Sequence, residues 1–271
     1  MHVLAFDTST ETLSVALSSQ DACRVRDEPG GARASQRLLP LCTELLQQAG
    51  LRFADLDLIA MGAGPGAFTG LRTAAAAAQG LAYALGLPVA PIDTLRAQAE
   101  TAFALLQHDG TLRPAPDRPA IGSIALAAND ARMGELYWEL FRAEPTGWQP
   151  LHPPGVHPPG SALLAWAEVL ADLQPAFGPH TSLHACGNAW EVHAQALSAA
   201  CAHLPADNPR LHALHRAVLH ATHCTPSAAA VARLARLDHA SAKTVPAAQA
   251  QPIYVRDKVA QTTAERELTR A

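Results

Sequence analysis

Lysine is almost missing from this 271-residue sequence: only Lys243 and Lys258 occur, and the other eighteen cations are arginine. A Walker-type phosphate loop needs a lysine beside its Ser/Thr, so none can lie before residue 243. Charge is sparse as well, at 16% of residues with a formal net charge of −4. With no chain-wide positive field to neutralise phosphates, this chain is not expected to hold nucleic acid by itself. No run of about 18 apolar residues is present to span a bilayer. The five cysteines (Cys23, Cys42, Cys186, Cys201 and Cys224) are scattered and contain no C-x-x-C pair, and read as reduced, mostly buried thiols. Residues 1–17 are interrupted by Asp7 and Glu11 and lack a basic flank, so they are not read as a secretory signal. A cytoplasmic location is expected.

What is there is apolar: 49% hydrophobic residues in a chain longer than the ~100–200 of one ordinary domain, which predicts two lobes or one large α/β unit. Apolar runs and alternation predict strands near residues 2–6, 12–18 and 22–26. A helix follows over 36–49, capped by Ser35 and stopped by Gly50. A strand (56–61), a glycine-rich loop (62–70), a helix (71–85), a strand (88–92) and a helix from Asp93 or Thr94 to 107 complete an amino-terminal lobe, residues 1–110. Three prolines in residues 111–119 suggest a linker. A second α/β lobe is expected over 120–245. It opens with strands at 121–127 and 135–141 joined by the polar Asn129-Asp130-Ala131-Arg132 and carries a Pro-rich insertion at 145–159. Residues 203–238 read as helical, and 246–271 as a tail.

Four features bear on chemistry. Asp7 ends the first strand inside Asp7-Thr8-Ser9-Thr10, where a carboxylate beside hydroxyls could orient a metal-bound phosphate, or form a self-bonded turn. Gly62-Ala63-Gly64-Pro65-Gly66-Ala67-Phe68-Thr69-Gly70 lies between a strand and a helix, a place for an anion or for a tight turn. Its spacing is not G-x-G-x-x-G, and Pro65 removes a donor. The helix after it is small-residue almost all round and suits either internal burial or a seam with another protein. His180 and His184 read as lying along a strand, about 13 Å apart and too far to share a metal. His212, His215, His220 and His223 read as two pairs on a helix without a carboxylate, so no metal site is assigned.

Taken together, residues 4–10, 35–40, 62–72, 80–88 and the late Pro252-Ile253-Tyr254-Val255-Arg256-Asp257 closely resemble the TsaB (YeaZ) family, which takes part in making threonylcarbamoyladenosine in tRNA. The resemblance implies an actin-like (ASKHA, ribonuclease-H-like) two-lobed α/β fold with mixed sheets flanked by helices. It implies Asp7, Thr8, Gly64 and Gly66 as the candidate cofactor-binding positions. In the catalytic sister family, TsaD, an H-x-x-x-H metal pair follows the segment matching residues 80–88, and here Thr94 and Gln98 stand in its place.

The expected function is therefore a non-catalytic subunit, with no catalytic residue and no metal of its own, that positions a TsaD-like partner. Leu71, Thr73, Ala74, Ala77, Ala78 and Leu81 are the expected interface. The family also implies a TsaE-like ATPase, with ATP and a metal in the partner subunits and tRNA reached only through the complex. A homodimer of the lone chain is left open. The alternative is an ATP-dependent phosphotransferase or ATPase with Asp7 and the 62–70 loop at its site. A protease is a third reading, without a nucleophile motif to support it.

Overall fold

In the computed structural model, which describes residues 1–19, 22–108, 121–172, 182–202 and 209–256, the chain opens with an antiparallel meander. Its strands are β1 (His2–Asp7), β2 (Thr12–Ser19) and β3 (Ala22–Pro29). Helix α1 (Ala34–Gln48) leads to β4 (Leu58–Gly64), α2 (Phe68–Leu85) to β5 (Val89–Asp93), and α3 (Thr94–His108) follows. The parallel pairs β1–β4 and β4–β5 need these crossover helices, which explains the alternation seen in the sequence. The first sheet has the order β3-β2-β1-β4-β5.

The remaining described residues form β6 (Ile124–Arg132), β7 (Glu135–Glu144), β8 (Gly147–Pro150), β9 (Gly155–His157) and α4 (Pro159–Asp172). After them come β10 (Leu183–Cys186), α5 (Ala189–Val192), α6 (Ala194–Ala202), α7 (Pro209–Leu219) and α8 (Ala228–Ala240). The second sheet runs β10-β6-β7-β8, with β9 also on β7. An antiparallel meander whose first strand takes a parallel neighbour thus occurs twice, and Asn129 near the end of β6 corresponds to Asp7 at the end of β1.

Packing arranges these elements in layers. Helices α1 and α2 cover one face of the first sheet through Leu4, Phe6, Leu41, Leu45 and Ala78. Its other face, Val3, Ala5, Leu58 and Ile92, is covered by α8 through Val231, Leu234 and Ala235. Helix α3 lies between the sheets, with Leu95 and Ala99 against Ala125, Phe141 and Trp148. The far face of the second sheet packs on α4 to α7 around Trp138, Trp166 and Trp190.

Several expectations are corrected. Ser35 does not cap α1, because a short 3-10 turn over Gly31–Arg33 carries the chain into a helix already begun at Ala34. Strand β4 runs on to Gly64 and α2 begins at Phe68, so the long glycine loop shrinks to residues 65–67. Asn129 to Arg132 belong to β6 rather than to a connection, and the Pro-rich insertion supplies β8 and β9. Over the described residues from 209 on, the helical stretch expected over 203–238 is two helices separated by residues 220–227. Thr222 is tied to Ala185 and Gly187, while the amide of Ala228 reaches Ser14 Oγ at 2.8 Å. The chain therefore crosses back, and α8, assigned by sequence to the second lobe, covers the first sheet. Its alanines permit that close approach, and adjacency in sequence could not show it. The expected linker at 111–119 lies outside the described residues.

Candidate functional site

The Asp7-Thr8-Ser9-Thr10 turn and the glycine segment, separate motifs in the sequence, interlock. Thr8 Oγ1 donates to the Gly70 carbonyl at 2.7 Å, and the Ala67 amide donates to the Ser9 carbonyl at 2.8 Å. A side chain at position 66 would place its Cβ 2.6 Å from Ser9, and one at position 70 would place it 1.8 Å from the Thr8 carbonyl oxygen. The glycines are thus required by close backbone approach. Gly64 donates its amide to Thr94 Oγ1 at 3.0 Å. Of the candidate cofactor positions, Asp7, Thr8 and Gly64 bond within the chain and Gly66 packs on Ser9, so the four are brought together as one packed unit.

Asp7 is buried: Oδ1 accepts from the Ser9 amide (2.8 Å) and hydroxyl (2.6 Å), while Oδ2 has no partner of good hydrogen-bond geometry and faces only the Thr94 hydroxyl. Burial raises its carboxyl from 3.8 to about 6, against the pull of Ser9 and of the Thr94 hydroxyl. A folded value above the unfolded one means that the native state holds the proton more tightly. The group therefore costs nothing below both values, and its cost grows as pH rises through about 6. Asp7→Asn should raise stability at pH 7.5 by roughly 1–3 kcal/mol and lose that advantage by about pH 4, measured by urea unfolding at both pH values.

Between the strand ends lies a cleft of about 300 Å³. One wall comes from Ser9, Thr10 and Phe68, the other from Asn129, Arg132 and Tyr137. Asn129 is 4% exposed, and its Nδ2 has no hydrogen-bond partner. Asp130 accepts from His193 Nε2 at 3.1 Å, and Arg132 pairs with Glu11 across the mouth. Sequence reading did not single out Asn129 as a site residue. Its signal was an apolar run closed by Asn-Asp, as Leu4-Ala5-Phe6 is closed by Asp7. Residues 253–256 also line the cleft, although nothing in their sequence indicates where the segment docks.

Thr94 and Gln98 are one turn apart on α3 and fully buried. A hydroxyl that already accepts from Gly64 and a carboxamide packed beside Gly187 do not fit a transition metal. Among the described residues no group of three or more His, Cys, Asp or Glu could hold a metal ion. Of the two expected helical pairs of histidines, His212 and His215 lie on α7, whereas His220 and His223 do not, because α7 ends at Leu219. His180 lies outside the described residues. Near Thr94, Asp93 caps α3 by accepting from the Arg96 amide at 2.8 Å. Burial raises the carboxyls of both Asp93 and Glu139, and repulsion by Asp93 raises Glu139 further.

Helix α2 corrects half of the expected interface. Leu71, Ala74 and Ala78 are buried inside the protein, while Thr73, Ala77 and Leu81 are half-buried. The outward side carries Arg72, Ala76, Gly80 and Tyr83, the last 86% exposed. No helix among the described residues is long and apolar enough to cross a membrane.

Residues 28–264 match the family model described as TsaD: tRNA N6-adenosine threonylcarbamoyltransferase. The chain is 40% identical over 136 residues to the tRNA threonylcarbamoyladenosine biosynthesis protein TsaB of Haemophilus influenzae, covering 50% of this chain and 52% of that protein. It is 36% identical over 147 residues to the TsaB of Escherichia coli, covering 54% of this chain and 58% of that one. The aligned part spans little more than half the length of these curated relatives. The solved structure of YeaZ from Pseudomonas aeruginosa superimposes with a TM-score of 0.67 at 28% identity, covering 93% of this chain and 99% of that one.

Proposed function

Since the chain belongs to the TsaB (YeaZ) family and has an actin-like α/β fold, we propose that it serves the formation of threonylcarbamoyladenosine in tRNA as a non-catalytic subunit that binds and positions a TsaD-like partner. The observation that carries the non-catalytic part is on α3: where the sister family has its metal histidines, this chain has buried Thr94 and Gln98, unsuited to a metal. On this reading ATP and metal belong to the partner subunits, a TsaE-like ATPase joins the assembly, and tRNA is reached through the complex in the cytoplasm.

The outward side of α2 supports the docking part. Ala76 and Gly80 let another backbone come close, and exposed Tyr83 offers a large apolar contact beside them. Purified chain mixed with a TsaD-like subunit should co-elute in size-exclusion chromatography. Ala76→Arg should weaken that association at least tenfold with no change in the chain's own unfolding midpoint, because residue 76 faces outward. Failure of the unaltered chain to co-elute would sink the partner role. Unchanged affinity for the arginine variant would remove α2 from the interface.

One observation favours the competing phosphotransferase reading, namely the buried Asp7 carboxylate, whose Oδ2 faces only the Thr94 hydroxyl and makes no hydrogen bond of good geometry. Tight magnesium-dependent ATP binding by the isolated chain, lost in Asp7→Ala, would decide for it.

A further inference from the structure

Residues 252–256 have no regular secondary structure, yet they touch both walls of the cleft. On the first wall, the Ile253 amide donates to the Ala63 carbonyl at 2.7 Å, and the Ile253 carbonyl lies 2.6 Å from where a Cβ on Gly64 would stand. Tyr254 rests on Phe68 with ring centroids 5.4 Å apart, and its hydroxyl accepts from Arg72 Nε at 3.3 Å. Three residues after Ile253, Arg256 reaches the other wall. It pairs with Glu135, approaches the Arg132 carbonyl at 3.5 Å and lies 5.9 Å from the Tyr137 ring.

We propose that residues 252–256 are a clasp, which holds the two walls together and shuts the cleft over the unpartnered Asn129 amide. The contacts have the character of a reversible closure. Ile253 is 37% and Tyr254 49% exposed and neither belongs to a hydrophobic core, so although the Arg256–Glu135 pair is more enclosed (15% and 32% exposed), the clasp can leave without unfolding either sheet. The floor beneath is built differently. Asn129 is buried with a free donor, a state that costs stability unless a partner arrives, and the clasp supplies none. Opening would uncover that donor together with Ser9 and Thr10. The Arg132–Glu11 pair, exposed on both sides, is a second tie across the same mouth. This device does not depend on the partner role proposed above.

Hydrogen exchange measured by mass spectrometry on the full chain tests the clasp. In a Tyr254→Ala/Arg256→Ala variant, amides in residues 63–68 and 130–135 should exchange at least tenfold faster together, while those of α1 and α8 keep their protection. Glu135→Gln removes only the far anchor and preserves shape, and it should speed exchange on both walls in the same way. Faster exchange on one wall alone, or on neither, would overturn the proposal. Should the double variant also loosen α1 and α8, the Glu135→Gln pattern decides.

Discussion

Gly70→Ala should cost the protein at least about 3 kcal/mol, since overpacking against rigid backbone stands at the upper end of what one added methyl does. The new Cβ would stand 1.8 Å from the Thr8 carbonyl oxygen, a backbone atom that cannot rotate away. Relief would require pulling α2 from the β1–β2 turn, breaking the Thr8 hydroxyl bond to the Gly70 carbonyl as well. Gly80→Ala in the same helix is the control: nothing lies within 4 Å, so only helix propensity changes, and roughly 0.5–1 kcal/mol should be gained. Urea unfolding followed by tryptophan fluorescence measures both. Equal stabilities of the two variants would mean that the turn and the glycine segment do not interlock.

Asp238→Ala should be as damaging, by about 3–5 kcal/mol, because it strands a charge rather than merely removing a contact. Arg96 on α3 is 9% exposed and Asp238 on α8 is 7% exposed. They make a two-pronged pair at 2.7 and 3.1 Å, and Arg96 Nε also donates to the Trp148 carbonyl. One guanidinium thereby joins α3, α8 and β8 between the sheets. Replacing both partners by apolar residues, Arg96→Met with Asp238→Leu, should recover part of the loss, since the guanidinium is no longer stranded, but not all of it, because the buried carboxyls of Asp93 and Glu139 then lose the cation that Arg96 provides. A double substitution no more stable than Asp238→Ala would show that the lost energy came from packing and not from the unpaired cation.

The elements of the first sheet were legible to within a few residues because each strand or helix is specified by its own neighbours. Apolar runs specify β1 and β4, Asp93 caps α3, and Gly86 closes α2 in a left-handed conformation. Asp7 and the glycine segment could also be singled out, as residue types that need a reason to stand where they do. Their relation to each other could not, since a clash between residue 70 and residue 8 depends on how far apart two non-adjacent segments come to rest. The outward side of α2 failed for a similar reason. An alanine-rich helix has almost no hydrophobic direction of its own, so the choice between Ala74 inside and Ala76 outside is made by the sheet and α1.

By itself, then, the sequence determined the α/β alternation, the lysine-free glycine turn and the family. These are properties of local pattern and composition. The tertiary structure alone decided that α8 returns to the first sheet, that Asn129 stands opposite the Asp7 turn, and that residues 252–256 close the cleft between them. Each of those depends on contacts between residues more than a hundred positions apart, and such contacts exist only once the layers have packed.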